Sequence, residues 1–244
     1  KFEIETSYGI KAWKRWGNTA EQIIKSNPYV LCIQGVDLSF SRADAVAAKS
    51  DIPADSECRI KAGITYILRQ NADQGHTCLP LDSLVKTAVS YLDVDEKLIK
   101  KVIEDETEEE NLYYYDKHGR RFVMLADFYK AEDYIARRLA IMRQISYDNK
   151  IDFSEVIDLE EENNGIQYEK IQREAINLAL SKGFLVLTGG PGTGKTTTLN
   201  AIISLYQQQG LNVMICAPTG RAAKRLSDHT GFDAKTIHRL LEVK

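Results

Sequence analysis

The stretch Gly189–Thr196 constrains this chain more than any other, because its sequence GGPGTGKT satisfies the pattern G-x-x-x-x-G-K-[ST] at every fixed position. Glycines permit backbone conformations that a Cβ would forbid, so successive N–H groups can point inward around a phosphate. A helix that begins at Lys195 would present its free amides and its positive dipole end to the same anion. The stretch therefore predicts a binding site for a nucleoside triphosphate.

Two side chains of this loop have predicted chemical roles. Lys195 is expected to reach the β- and γ-phosphates, and the hydroxyl of Thr196 is expected to ligate Mg²⁺. The apolar run Phe184–Leu187 has the length of a buried strand, which argues against a glycine-rich turn that binds nothing. The residues expected to bind the nucleotide are Gly189, Gly190, Pro191, Gly192, Thr193, Gly194, Lys195, Thr196 and Thr197.

Residues 1–90 are predicted to form short helices separated by tight turns, in the manner of helix-hairpin-helix modules. Such hairpins hold DNA phosphates with backbone amides and therefore bind without reading the base sequence. An ordinary helical bundle is the open alternative. The turn at Gly35-Val36-Asp37 lacks the second glycine that a DNA-binding hairpin would favour.

Residues 91–146 are predicted to form a winged-helix-like hairpin and a long helix. Two β-rich runs surround a turn that contains Gly119, which is a β-hairpin signal. Lys117, Arg120 and Arg121 lie near the tip of this hairpin. They could face DNA or form a solvated basic turn, and the acidic run Glu104–Glu110 favours the solvated turn because it would repel DNA.

Residues 147–166 are polar and acidic and are interpreted as a linker. Residues 167–244 then alternate helices with two apolar runs, Phe184–Leu187 and Leu211–Ala217, which predicts an α/β fold with a parallel sheet. Residues 165–244 contain 10 Lys and Arg against 5 Asp and Glu, whereas the rest of the chain has a net charge of −8. A basic segment beside a phosphate loop fits a polyanionic partner.

Composition excludes several other classes of protein. The apolar runs are far shorter than the roughly 20 residues of a membrane helix, and no leader peptide is apparent after Lys1. The four cysteines, Cys32, Cys58, Cys78 and Cys216, form no C-x-x-C pair. Reduced thiols in a cytoplasmic protein are therefore expected rather than a metal site.

Three segments together resemble a known family. TGGPGTGKTTTL (Thr188–Leu199), APTGRAAKRL (Ala217–Leu226) and TIHRLL (Thr236–Leu241) resemble motifs I, Ia and Ib of superfamily 1B DNA helicases of the RecD/TraA-like group. The first half of the chain resembles the long-N-terminus branch of the RecD-like helicases, for example in NPYVL (Asn27–Leu31) and GHTCLP (Gly75–Pro80). The resemblance implies a mostly helical N-terminal region followed by the start of a RecA-like P-loop NTPase sheet.

The resemblance also implies a function. ATP and Mg²⁺ are the expected cofactors, with the Gln172 amide reading the adenine edge. Thr219, Arg221 and His238 are the expected DNA contacts. Single-stranded DNA and duplex/single-strand junctions are the expected substrates of a 5′→3′ helicase in DNA repair or recombination, and other repair or recombination proteins are the expected partners.

Several alternatives stay open at these positions. Gln172 could instead cap its helix, and Arg221 and His238 could be interdomain or core groups. A non-motor DNA-binding module and another P-loop NTPase are the competing functions, although the second leaves APTGRAAKRL and TIHRLL unexplained.

The 244-residue chain by itself is expected to bind nucleotide but neither to hydrolyse ATP nor to unwind DNA. No Asp-Glu pair occurs between Thr198 and Lys244, so the acid that positions the attacking water, the arginine finger and the second motor domain are expected outside this sequence. Phosphoryl transfer depends on such positioning groups. DNA-stimulated ATP hydrolysis, measured as phosphate release by this chain alone, would contradict the expectation.

Overall fold

Two separate hydrophobic cores organise the chain, one on each side of residue 134. The computed structural model describes residues 4–33, 35–50, 52–145 and 153–243. It divides into an N-terminal unit, Lys1–Tyr134, and a C-terminal unit, Ile135–Lys244.

The N-terminal unit begins with short helices whose ends follow from turn residues. Helix α1 (Thr6–Trp16) is followed by Gly17, which has a left-handed φ of 57°. Helix α2 (Ala20–Ser26) ends two residues before Pro28, where a helical conformation becomes unfavourable. A 3₁₀ helix, Pro28–Cys32, follows. The α-helices up to residue 108 are α1 (Thr6–Trp16), α2 (Ala20–Ser26), α3 (Phe40–Ala48), α4 (Glu57–Asp73), α5 (Leu81–Leu92) and α6 (Glu96–Glu108).

The predicted β-hairpin is confirmed and belongs to a three-stranded antiparallel sheet. Strands β2 (Leu112–Lys117) and β3 (Arg120–Leu125) are joined by His118 and Gly119, whose φ values of 51° and 73° fit a two-residue hairpin turn. Strand β1 (Cys78–Pro80) pairs with the other edge of β3. The sequence did not predict β1, because three residues are too few to display a period-two pattern.

A half-buried ionic network connects the helices of the N-terminal unit. The Arg59 guanidinium donates to both carboxylate oxygens of Asp44, at 2.7 and 3.2 Å. It also donates to the carbonyls of Ala54 (2.7 Å) and Leu92 (2.8 Å). The Tyr29 hydroxyl donates to Asp44 as well. Arg59 on α4 thus connects α3 with the end of α5, and Asp44 on α3 in turn accepts from the 3₁₀ helix.

The C-terminal unit packs three helices around its core. After α7 (Ala126–Gln144) come α8 (Ser154–Asn164), α9 (Lys170–Ser181) and α10 (Lys195–Gln208). The buried side chains of this core are Phe153, Ile157, Tyr168, Ile176, Ala179, Leu180, Ala201, Ile202 and Leu205. The predicted helix after the hairpin is confirmed as α7, but none of its residues is buried.

The linker prediction is wrong for residues 154–164, which form α8. The acidic side chains that suggested a linker have partners: Arg173 donates to Glu161 at 2.6 Å and to Asp158 at 2.5 Å, and Gln208 donates to the buried Glu160 at 2.8 Å. Phe153 and Ile157, four residues apart, supply the buried face of the helix. The start of the predicted linker, residues 147–152, lies outside the described residues.

The prediction of a buried strand at Phe184–Leu187 is also wrong, and Leu211–Ala217 forms a strand only at its end. The parallel pair is β4 (Ile215–Ala217) and β5 (Ala234–Thr236), joined through α11 (Gly220–Thr230) and followed by the short α12 (Ile237–Leu240). Within the described residues, 184–187 have no strand beside them to accept and donate backbone hydrogen bonds. Val186 is therefore 65% exposed.

The fold class predicted from the sequence is confirmed: a mostly helical N-terminal region precedes an α/β segment that carries the phosphate loop. Among the residues that the structure describes, no helix has both the length and the apolar character needed to cross a lipid bilayer.

Asp44→Asn is expected to lower the free energy of unfolding of the chain by about 2 kcal/mol at pH 7, since hydrogen bonds to a charged group contribute about 1.5–3 kcal/mol. Burial raises the pKa of Asp44, but the hydrogen bonds from Arg59 and Tyr29 outweigh it and hold the pKa below its ordinary value. The carboxylate therefore stabilises the fold fully above the unfolded pKa of about 3.9, and this stabilisation is lost as the pH falls through the folded pKa.

Urea unfolding followed by circular dichroism at pH 7, 4 and 3 measures this effect. The difference between the parent chain and Asp44→Asn should shrink as the pH falls below about 4. The exposed Asp55 provides the matched control, and Asp55→Asn should leave stability unchanged. Equal effects of the two substitutions at pH 7 would contradict the prediction.

Candidate functional site

The phosphate loop leads directly into α10 through a left-handed residue. Gly192 and Gly194 have φ values of 75° and 76°, which side chains with a Cβ rarely adopt. Gly194 is the N-cap residue of α10. Its carbonyl accepts hydrogen bonds from the backbone N–H (2.9 Å) and the hydroxyl (3.0 Å) of the buried Thr198. The loop is thereby fixed to the second turn of the helix.

The Lys195 side chain lies over the loop that precedes it. Its ammonium group donates to the carbonyls of Gly189, at 2.7 Å, and Gly190, and lies 3.3 Å from the Thr193 hydroxyl. A Cβ added at Gly189 would lie 2.7 Å from the same hydroxyl oxygen, so the loop closes tightly on itself at this point. The positive charge of Lys195 is therefore held inside the curve of the loop.

These residues fit a triphosphate with its magnesium ion. Residues 188–193 are exposed to solvent, and so is Thr196 in the first turn of α10. Backbone amides at a helix N-terminus and a lysine ammonium are the donors that phosphate oxygens accept, and a threonine hydroxyl is a ligand for Mg²⁺. Phosphate oxygens would replace the loop carbonyls as acceptors for Lys195.

The structure places Gln172 against the phosphate loop. Its Oε1 accepts from the Glu169 N–H at 2.9 Å, as part of a capping box at the start of α9. Its Nε2 lies 3.4 Å from the Gly194 carbonyl. A Cβ at Gly194 would come within 2.1 Å of this amide nitrogen. Gln172 thus caps its helix, as the alternative interpretation proposed, and also lies beside the nucleotide loop.

The parallel strands β4 and β5 bring the predicted DNA-contact residues to one edge of their two-stranded sheet. Ala217, the last residue of β4, is paired with Thr236, the last residue of β5. Thr219 and His238 each follow two residues later, and the carboxyl ends of parallel strands lie on the same edge of a sheet. The side chains of Arg221 and His238 are exposed there. They are therefore not core groups in this structure.

Two threonines at this edge cap helices. The Thr219 hydroxyl accepts from the Ala222 N–H at 3.2 Å, and the Thr236 hydroxyl accepts from the Arg239 N–H at 3.2 Å. A hydroxyl that accepts a capping hydrogen bond can still donate its own proton to a ligand. Lys224 and Arg225 add two exposed positive charges to α11.

Sequence reasoning missed Thr198 and Thr236 as anchors of these two sites. Thr198 stands four residues after Gly194 in the run of threonines, which is the spacing of a hydroxyl that bonds to the preceding turn. Thr236 precedes the short helix α12, a typical N-cap position. Both signals are visible in the sequence: Thr198 is four residues after the last glycine of the loop, and Thr236 directly precedes the residues IHRL of α12.

Comparison with known proteins finds two matching families. Residues 1–78 match the family described as the ATP-dependent RecD2 DNA helicase HHH domain, and residues 172–244 match the AAA domain. The two matches cover the predicted helix-hairpin-helix-like region and the segment that contains Gln172, the phosphate loop and the parallel pair.

The chain is also similar to individual proteins. The chain is 28% identical over 242 residues to the ATP-dependent RecD2 DNA helicase of Deinococcus radiodurans, an alignment that covers 95% of this chain and 33% of that protein. It is 41% identical over 93 residues to the RecBCD enzyme subunit RecD of Mycolicibacterium smegmatis, which covers 29% of this chain and 17% of that protein. It is 43% identical over 70 residues to the DNA-binding protein SMUBP-2 of Mus musculus, which covers 28% of this chain and 7% of that protein.

The chain spans about a third of the length of its RecD2 relative. The first match lies in the helical N-terminal region, and the second begins at Gln172 and contains the phosphate loop. Together with the RecD2 and RecD relatives, the two matches support the similarity to RecD-like helicases, with an N-terminal region followed by the start of the motor domain.

Proposed function

We propose that this chain belongs to an ATP-dependent DNA helicase that moves 5′→3′ along single-stranded DNA and acts at duplex/single-strand junctions. The observation that carries the proposal is the register of β4 and β5, which puts Thr219, Arg221 and His238 on one edge, in a unit that also holds a complete phosphate loop. The names of the RecD2 and RecD relatives support it.

The proposed nucleotide site uses this chain's own groups in three ways. The loop amides and the N-terminus of α10 orient the phosphates, Lys195 balances their charge, and Thr196 holds Mg²⁺. ATP with Mg²⁺, when bound, supplies the free energy of phosphoryl transfer. Pro191, Gly192, Thr193 and Thr197 line or border the same loop and are proposed nucleotide contacts.

The proposed DNA contact uses a helix N-terminus and two side chains. Thr219 donates its hydroxyl proton to a backbone phosphate, the first amides of α11 face the same anion, and Arg221 supplies a full positive charge. His238 contributes a second contact from the neighbouring strand end. None of these groups needs to read a base, so the motor can move along any sequence. A cytoplasmic role in DNA repair or recombination, with other proteins of those pathways as partners, completes the proposal.

Unwinding by the longer protein that contains this chain tests the proposed activity. A fluorescent duplex with a 5′ single-stranded tail should be unwound when ATP and Mg²⁺ are added, and a duplex with only a 3′ tail should not. Lys195→Ala should reduce the unwinding rate by at least about 100-fold, because the charge that faces the phosphates is lost.

Lys182→Ala is the control for this experiment, since Lys182 lies on the segment before the loop and the substitution removes the same charge. Unwinding of only the 3′-tailed duplex would overturn the proposed direction. Unwinding that survives Lys195→Ala would overturn the assignment of the nucleotide site.

Gln172→Glu separates base recognition from helix capping. Glutamate retains the oxygen that accepts from the Glu169 N–H but loses the amide donor beside Gly194. The proposed reading of adenine predicts that ATP binding weakens about tenfold more than GTP binding, because the new carboxylate repels both triphosphates but only ATP also loses a donor to its base. Fluorescent nucleotide analogues of both bases measure the two affinities on this chain, and thermal unfolding checks the cap. Equal effects on both nucleotides would show that Gln172 is only a capping residue.

A further inference from the structure

The outer face of the three-stranded sheet carries aromatic and basic side chains that the proposed motor site does not use. In an antiparallel sheet, directly paired residues point to the same side. The pairs Tyr113–Met124, Tyr115–Phe122 and Lys117–Arg120 share this side, where Met124 is buried and Tyr115, Lys117 and Arg120, towards the hairpin turn, are exposed. We call Tyr113, Tyr115, Lys117, Arg120 and Phe122 the wing face. Of the alternate residues, Leu112, Val123 and Leu125 are buried in the core, and Asp116 and Arg121 are exposed.

The rings of the wing face form a partly exposed aromatic platform. Tyr113 stacks on Tyr129 of α7, with ring centroids 4.1 Å apart and planes 5° from parallel. Tyr115 and Phe122 have centroids 6.5 Å apart. Tyr115 is 46% exposed, although a tyrosine in a strand usually gains by burial. Aromatic faces held rigidly in contact with solvent are suited to stacking against a flat ligand.

Positive charges surround the platform. Lys117 and Arg120 are exposed at the tip of the hairpin, and the Lys130 ammonium lies 6.0 Å from the centre of the Tyr113 ring. Arg121, by contrast, is on the other face, where it donates to Asp116 at 3.0 Å and lies over Tyr114. The cations of the wing face and the rings therefore point to the same side of the sheet.

Two carboxylates of the acidic run Glu104–Glu110, which argued against a DNA contact, form ion pairs away from the wing face. Glu106 and Glu109 lie 2.8 and 3.4 Å from the Lys61 ammonium on α4. Glu110 is the carboxylate that reaches the wing face, where it accepts a 3.5 Å hydrogen bond from the Tyr113 hydroxyl. Glu132 of α7 also lies near this side, where it accepts from the Thr77 hydroxyl at 2.6 Å. Two carboxylates thus stand beside three exposed cations, which leaves the face with a net charge of about +1.

We propose that the wing face binds single-stranded DNA, with bases stacked on Tyr115 and Phe122 and phosphates held by Lys117 and Arg120. Stacking requires unpaired bases, because a duplex buries their faces, and it tolerates any sequence, because every base has an aromatic face. The site lies in the N-terminal unit and does not require ATP. It is a second contact in addition to the DNA surface of the proposed motor.

Binding of fluorescein-labelled oligothymidylate to the 244-residue chain, followed by fluorescence anisotropy without nucleotide, tests this proposal. Tyr115→Ala should weaken binding about fivefold or more, whereas Tyr115→Phe, which keeps the ring, should bind like the parent. Lys117→Gln with Arg120→Gln should reduce the slope of log affinity against log salt by about 1.4, or about 0.7 for each lost phosphate contact on a single strand.

Lys86→Gln with Lys97→Gln is the matched control. It removes two exposed lysines from α5 and α6, the helices that pack against the opposite face of the sheet. This control should leave the affinity and the salt slope unchanged. A loss equal to that of the wing-face variant would show a general charge effect and overturn the proposal.

Photocrosslinking identifies the contact directly. An oligonucleotide with 5-iododeoxyuridine should crosslink to the peptide that contains Tyr115, also when Arg221→Ala weakens the proposed motor contact. Crosslinks confined to residues 217–241, with unchanged affinity in Tyr115→Ala, would overturn the wing-face proposal and leave the proposed helicase function standing. The unwinding assay on the longer protein tests the proposed helicase function separately.

Discussion

The carbonyl of Gly194 is the junction on which the C-terminal unit depends. It accepts two hydrogen bonds from Thr198, one turn along α10, and lies within reach of the Gln172 amide at the start of α9. Glycine permits this arrangement for two reasons. Its left-handed backbone conformation directs the chain from the loop into α10, and it has no Cβ that would collide with Gln172. The phosphate loop is therefore positioned by the packing of α9 against α10, and not only by its own sequence.

The N-terminal unit is held together by a different kind of contact. Arg59 satisfies the carboxylate of Asp44 and two backbone carbonyls that would otherwise be left unpaired in a partly buried region. A guanidinium group suits this position because its donors are fixed in a plane and can serve several acceptors at once. The network fixes helix ends, and the sheet that carries the wing face contributes Leu112, Val123 and Leu125 to the core of the same unit.

Sequence reasoning predicted most elements of the N-terminal unit, because capping residues, glycine turns and amphipathic periods are local signals. Besides the missed strand β1 and the shortened strand at Leu211–Ala217, two predictions failed in the C-terminal unit, at residues 154–164 and 184–187, and both failures have nonlocal causes. The acidic residues of α8 become favourable only beside Arg173 and Gln208, which come from other helices. Phe184–Leu187 has the composition of a strand, but a strand also needs a neighbour, and composition does not reveal which one.

The candidate site was predictable to a similar extent. The pattern at Gly189–Thr196 predicted the loop, and the resemblance indicated Gln172, Thr219, Arg221 and His238 as residues of the motor.

Gln172 both caps α9 and lies beside the phosphate loop. Its Oε1 is already fixed by the Glu169 N–H, so the side chain loses its rotational freedom when α9 folds. An adenine that approached the loop would meet an amide already oriented, and base recognition would require almost no additional ordering of this side chain.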